Sequence, residues 1–266
     1  TATNSPCDSD PRQFLRETMN ALMDRYAGYV LPALSYGTVR DFCDSVDNFG
    51  TLATVSGDLK DAQRPWMVKA ILGGVPRGGR LVEIGAGQPL VADLLVKLGY
   101  DVTVVDPYDG SGNGPREYEY FRATYPNVRI VRELFNDQTP GLEPASFDAI
   151  YSISVLEHVP IPALAGVCAG IRKFLAPGRG RTIHAVDHVL RGTNDQYHAE
   201  HLATLVEGLG LTRQDLDRTL AAARNDLDTY YLSAEGHNRW RGATPYDQFP
   251  MRQVISVQIC TPPTAR

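Results

Sequence analysis

Cysteine is scarce: Cys7, Cys43, Cys168 and Cys260 are the only four in 266 residues, far apart and with no CxxC pair. That excludes a zinc knuckle and a small disulfide framework, and it predicts a reduced, cytoplasmic setting. No apolar run approaches the roughly 20 residues that span a bilayer, and no hydrophobic segment follows a charged one at residues 1–11, so no membrane partner is expected. Positive charge is also short. Twenty-six Lys and Arg face 31 Asp and Glu, a formal net charge of -5, the wrong balance for a protein that holds nucleic acid by its phosphates. Only Lys60, Lys69, Lys97 and Lys173 are lysine, and that scarcity assigns no site. Repeats and low-complexity tracts are missing too. What remains, 43% hydrophobic and 21% charged residues, is ordinary globular usage with length enough for one α/β core carrying extra helices, or for two small domains.

From Pro11 to about Leu72 the spacing of Phe14, Leu15, Met19, Leu22, Met23 and Tyr26, with breaks near Pro32, Gly37, Gly50 and Gly57, predicts several short helices and no strand. Residues 1–74 are read as an N-terminal helical cap and 75–266 as the core. In the core, strands are expected at Arg80–Ile84, Asp101–Val105, Asn127–Arg132, Phe147–Ser152, Arg181–Val186, Thr229–Ser233 and Val254–Cys260. Helices are expected at Leu90–Leu98, Arg116–Thr124, Ile161–Leu175 and Ala199–Leu209. Such alternation implies right-handed crossovers and a doubly wound α/β fold with a mostly parallel, seven-stranded, Rossmann-like sheet. Ligands of such sheets lie beyond the carboxyl ends of the strands.

The first strand ends in Glu83-Ile84-Gly85-Ala86-Gly87-Gln88-Pro89-Leu90. Glycines there let the backbone approach a ligand. Leu90 stands where a dinucleotide fingerprint has its third glycine, and Glu83 would repel a pyrophosphate, so an NAD(P)-dependent oxidoreductase loses ground. Asp106, 21 residues after Gly85, ends the second strand where an acid accepts both hydroxyls of a ribose. Glu83 and Asp106 together describe a nucleoside with a positive appendage, S-adenosylmethionine (SAM).

LVEIGAGQP (81–89), VTVVDPY (102–108), SFDAIYSISVLEHVP (146–160) and IRKFLAPGRG (171–180) stand in register, and over about Val75 to Leu211 the chain resembles the class I SAM-dependent methyltransferases. The resemblance implies that Glu83, Gly85, Ala86 and Gly87, with Gln88 on the same turn, surround the methionine part. It implies Asp106 and Pro107 at the ribose, Leu134, Phe135 and Asn136 at the adenine, and Ser152 on the sulfur side. Where that loop in the family often carries an acid, this chain has Asn136, with Asp137 beside it. SGDLKDAQRPW (56–66) and VDPYDGSGNGP (105–115) are similar to actinobacterial small-molecule and carbohydrate O-methyltransferases.

Methyl transfer to a hydroxyl needs alignment and a base. His188, with Asp187 beside it past the fifth strand, is the first candidate base and His158 the second. A divalent cation such as Mg²⁺ is the rival use of the same residues: Glu157-His158 resembles part of an ExxEH pattern of metal-dependent O-methyltransferases, with Asp187 or His188 to complete it and Ser154 in place of the first carboxylate. The resemblance implies a parallel sixth and an antiparallel last strand, which brings the connection Ala234–Pro250 out on the cofactor side; there His237, Arg239, Trp240, Arg241 and Tyr246 mix a flat apolar face with hydrogen-bond donors, which suits a sugar, a polysaccharide precursor or a hydroxylated secondary metabolite. The resemblance further implies that the helical N-terminal region closes the same side, with Gln63, Arg64 and Trp66 near the methionine carboxylate. A SAM-binding or partner subunit without turnover keeps the same pattern, and a homo-oligomer is left open.

Overall fold

The computed structural model describes residues 11–111, 114–192, 194–233 and 253–261. Among these a seven-stranded sheet carries helices on both faces. In chain order the elements are α1 (Pro11–Tyr26), β1 (Leu34–Tyr36), α2 (Val39–Asn48), α3 (Lys60–Gly74), β2 (Arg80–Ile84), α4 (Leu90–Lys97), β3 (Asp101–Val105), α5 (Tyr118–Thr124), β4 (Arg129–Val131) and β5 (Ala149–Ile153). A 3₁₀ turn at Leu156–His158 leads to α6 (Ile161–Phe174), β6 (Arg181–Arg191), α7 (Asp195–Gly208), α8 (Arg213–Asn225) and β7 (Gln253–Thr261).

The strand order is β1-β7-β6-β5-β2-β3-β4, and β4, β3, β2, β5 and β6 pair in parallel. The order reverses direction between β2 and β5, so the chain leaves a crevice beyond their carboxyl ends. β7 runs antiparallel to β6. Because side chains alternate along a strand, one face of the sheet packs Tyr151, Ile183 and Ala185 against α3 and α4. The other packs Val82, Ile150 and Val186 against α6, α7 and α8.

One of the seven strands is not where it was expected. Leu34–Tyr36 pairs antiparallel with β7, Leu34 opposite Ile259 and Tyr36 opposite Val257, so residues read as part of a helical cap close the sheet. The segment 229–233 is sewn beside this edge by single bridges, Thr38 with Thr229 and Tyr231 with Ile255, and forms no strand. A strand of three residues, Leu34–Tyr36, is too short to show a period of two.

Helix α2 starts with a reciprocal cap: Asp41 N–H donates to Thr38 Oγ1 at 3.0 Å and Thr38 N–H to Asp41 Oδ2 at 3.1 Å. It is tied to α3 by Lys69, whose ammonium lies 3.0 Å from Asp44 and 3.4 Å from Asp41 although its side chain is only 2% exposed. Tyr26 of α1 donates to the same Asp44 carboxylate. No helix among the described residues is long and apolar enough to cross a membrane.

Breaking a buried pair leaves a desolvated charge behind. Asp44→Ala leaves Lys69 only its longer contact to Asp41 and is therefore expected to cost about 1–3 kcal/mol in urea unfolding, with Lys69→Met in the same chain restoring part of it; an unchanged midpoint for Asp44→Ala contradicts the latch.

Candidate active site

β2 ends in Gly85, and the chain leaves it left-handed, with φ +65° at Gly85 and +56° at Gly87. A Cβ on Gly85 would meet Val155 Cγ1 at 2.6 Å, so this turn accepts only glycine. Asp106, at the tip of β3, fastens it: Oδ2 accepts from Gly87 N–H and Oδ1 from Tyr108 N–H, both at 2.9 Å. Tyr108 is itself left-handed, with φ +48°, and its hydroxyl donates to the Gly87 carbonyl at 2.8 Å. Each Asp106 oxygen thus spends one lone pair on the backbone and keeps another. Burial pushes its pKa up while the two N–H donors oppose the rise.

Glu83 lies behind this turn, 3% exposed, accepting the Tyr151 hydroxyl at 2.9 Å. Burial raises its pKa to about 7, against the pull of Tyr151, the Arg64 guanidinium and the Ala92 backbone N–H, with Asp106 adding to the rise. Gly85, Ala86, Gly87 and Pro107 are half-buried and Gln88 is exposed, its amide reaching Tyr125. In the third loop Leu134 is 62% exposed. Phe135 packs against Phe174 in the core, and Asn136 turns its side chain onto Gln138 N–H.

Ser152 does not reach the crevice: it is fully buried and its hydroxyl pairs with His184 Nδ1. The strand runs on to Ile153, and the hydroxyl at its tip belongs to Ser154, held left-handed at φ +53°. Around Ser154 the structure gathers residues from three elements. Lys60 of α3 donates to Ser154 Oγ at 3.2 Å, and Ser154 Oγ donates to Asp187 Oδ2 of β6 at 3.2 Å. Gln63 Nε2 donates to Asp187 Oδ1 at 2.7 Å. Asp187 N–H donates to Glu157 Oε1 at 3.2 Å. Two buried acceptors in this cluster have no partner, Gln63 Oε1 and Glu157 Oε2. Burial and the neighbouring Asp187 carboxylate raise Glu157 to about 8, against the Lys60 charge.

The histidines named as bases stand elsewhere. β6 extends through Arg191, so Asp187 and His188 are successive residues within a strand and face opposite sides of the sheet. His188 is opposite Ile255, 2% exposed, and burial with the His198 and Arg224 charges drives its pKa down to about 4. His158 is exposed on the 3₁₀ turn. His184 is fully buried between Ser152 and Thr182, and burial lowers it to about 3. For the same reason Glu157, His158, Asp187 and His188 do not converge as metal ligands, and no group of three or more His, Cys, Asp or Glu among the described residues is arranged to hold an ion. Trp66 is a core residue. His237, Arg239, Trp240, Arg241 and Tyr246 lie outside the described residues. Lys60 was given no role from the sequence; its signals were its place within SGDLKDAQRPW (56–66) and its position three residues before Gln63, which puts both on one helix face.

A family model described as a methyltransferase domain matches residues 67–216, and the chain belongs to this family, the class I SAM-dependent methyltransferases. Curated relatives include two proteins named ubiquinone biosynthesis O-methyltransferase. The one from Nitrosococcus oceani is 29% identical over 102 residues, 38% of this chain and 41% of the relative. The one from Xanthomonas axonopodis pv. citri is 30% identical over 140 residues, 48% and 56%. The chain thus spans about half the length of the curated relatives it matches. Similar solved structures include a TehB-like SAM-dependent methyltransferase from Corynebacterium glutamicum, 14% identical over 84% of this chain and 99% of that one at a TM-score of 0.44. Another is geranyl diphosphate C-methyltransferase from Streptomyces coelicolor A3(2), 13% identical over 97% and 100% at 0.46.

Both raised carboxyls bind a proton more tightly in the folded chain than in the unfolded one, where a glutamate titrates near 4.5. Their contribution to stability is complete below that value and is lost as pH rises through about 7 and about 8. Glu157→Gln is expected to flatten the fall in melting temperature between pH 5 and 8; a slope equal to the parent's removes Glu157 from the account.

Proposed function

We propose that this chain is a SAM-dependent O-methyltransferase acting on a hydroxyl of a small molecule, a sugar or a secondary metabolite. The observation that carries the reading is the adjacency of two sites: a glycine turn backed by Glu83 and fastened by Asp106, and a polar cluster at the tips of β5 and β6 with two unpaired buried acceptors. Val155, touching the place of a Gly85 side chain, links them.

The residues present suit the donor. The half-buried backbone of Gly85, Ala86 and Gly87 can take its methionine end, with Glu83 and Arg64 supplying opposite charges. Asp106 keeps a lone pair on each oxygen for ribose hydroxyls, and the exposed Leu134 offers an apolar surface to the base. Bound there, SAM supplies an electrophilic methyl group on a sulfonium.

The chain then has to hold an acceptor oxygen in line and remove its proton. Gln63 and Glu157 present acceptors for O–H groups, and Lys60 presents a positive charge beside them. Support for oxygen as the acceptor atom comes from the curated relatives' names, which belong to proteins of about 30% identity over part of their length. The sugar reading rests on residues 237–246.

Incubation with labelled SAM and a panel of mannosides, glucosides, phenolics and amines is expected to label a hydroxyl compound, and Asp106→Asn to weaken SAM binding about tenfold, roughly one charge-assisted hydrogen bond. Transfer to amines alone contradicts the O-methylation; binding without turnover across the panel favours a SAM-binding subunit.

A further inference from the structure

The cluster at Ser154 carries one inference more, which rests on the O-methylation reading. Three features distinguish it from a solvated group of charges. Asp187 is engaged on both oxygens, by Gln63 and by Ser154. Ser154, where the metal-dependent pattern has its first carboxylate, receives the Lys60 ammonium at 3.2 Å. Glu157, 8% exposed, has one oxygen on Asp187 N–H and the other buried without a donor, as has the amide oxygen of the fully buried Gln63. A buried acceptor left unpaired costs about 1–3 kcal/mol, and two of them in one place are relieved together by a ligand that brings O–H donors.

We propose that the Lys60 ammonium takes the electrostatic part a divalent cation plays elsewhere, and that Glu157 Oε2 receives the acceptor's proton, so that hydroxyl activation at this site needs no metal. A fixed positive charge beside a hydroxyl favours its anion as a bound cation does, though as a single charge. The atoms balance. The acceptor oxygen gives up its hydrogen to Glu157 and gains the methyl carbon, while the carbon–sulfur bond breaks with its electron pair left on sulfur. The positive charge lost from sulfur matches the negative charge lost from the carboxylate. Asp187 is a positioning residue, since it acts through Ser154 and through the backbone of β6, while Gln63 holds Asp187 by its amide nitrogen and offers its amide oxygen to the acceptor.

The groups facing Glu157 are Lys60 of α3 and Asp187 of β6, and on the same turn His201 of α7 reaches the Val159 carbonyl. Removing the Lys60 charge therefore makes Glu157 harder to ionise.

The test compares the whole chain with Lys60→Met, Lys60→Arg and Glu157→Gln. Turnover of a hydroxyl acceptor should survive EDTA, fall about 100-fold or more in Lys60→Met and Glu157→Gln, as expected for loss of a general base or its activating charge, and recover in part in Lys60→Arg. Binding of S-adenosylhomocysteine should stay within about threefold of the parent, a smaller change than one lost charged contact produces. Independently of turnover, the infrared carboxylic-acid band that Glu157→Gln removes should disappear with a midpoint near pH 8 in the parent and at higher pH in Lys60→Met. Chelator-sensitive turnover restored by Mg²⁺, or an infrared midpoint unmoved by Lys60→Met, overturns the proposal. A failure to methylate any hydroxyl while the band behaves as described strikes the O-methylation reading instead.

Discussion

A carboxylate withdrawn from water must find donors or take up a proton, and the crevice of this protein is organised by that requirement. Asp61, 1% exposed, draws the N–H groups of Thr54, Ser56 and Gly57 around its oxygens and so folds the loop ahead of α3. Asp106 draws in Gly87 and Tyr108 and so sets the glycine turn. Glu157 takes the N–H of Asp187 and ties the 3₁₀ turn to β6. Each bond joins a loop to an element packed in the core, so loops that would otherwise pay their full ordering entropy are fixed by charges placed under them.

The same requirement divides the crevice in two. On the β2 and β3 side Asp106 is satisfied by backbone N–H groups and Glu83 by the Tyr151 hydroxyl and the Ala92 N–H, and Asp106 lone pairs stand free beside half-buried glycines. On the β5 and β6 side the donors are the side chains of Gln63, Lys60 and Ser154 with the Asp187 N–H, and they run short at Gln63 Oε1 and Glu157 Oε2. Helix α3 spans both halves, with Arg64 toward Glu83 and Lys60 and Gln63 toward Asp187. An N-terminal segment read as a cap is therefore a wall of the site and, through Leu34–Tyr36, an edge of the sheet.

Local patterns were readable and pairings were not. Glu83, Gly85, Gly87 and Asp106 stand together because strand ends and their turns are written in consecutive residues. Strand ends were the weak point. The strand expected at Phe147–Ser152 runs on to Ile153, so the hydroxyl at its tip is that of Ser154, and the strand expected at Arg181–Val186 runs on to Arg191, which sets His188 on the far face from Asp187. One residue of alternation decides which group meets a ligand. α8, polar over most of its length, offered too faint an apolar stripe to be named, and Lys60 looked like any lysine in the first turn of a helix. Both are fixed by contacts between segments distant in sequence.

The account stands on the claim that the tips of β2 and β3 hold a cationic sulfur nucleoside, with Glu83 facing its ammonium. Burial sets Glu83 near pH 7, so the most direct measurement is calorimetry with S-adenosylhomocysteine at pH 6 and pH 8, on the parent and on Glu83→Gln. The parent should bind more tightly at pH 8, where the carboxylate is ionised, and Glu83→Gln should bind weakly with little change between the two. Equal affinity of both proteins at both values would show that this acid only fastens the start of α4 to the sheet, and the placement of the donor would fall with it.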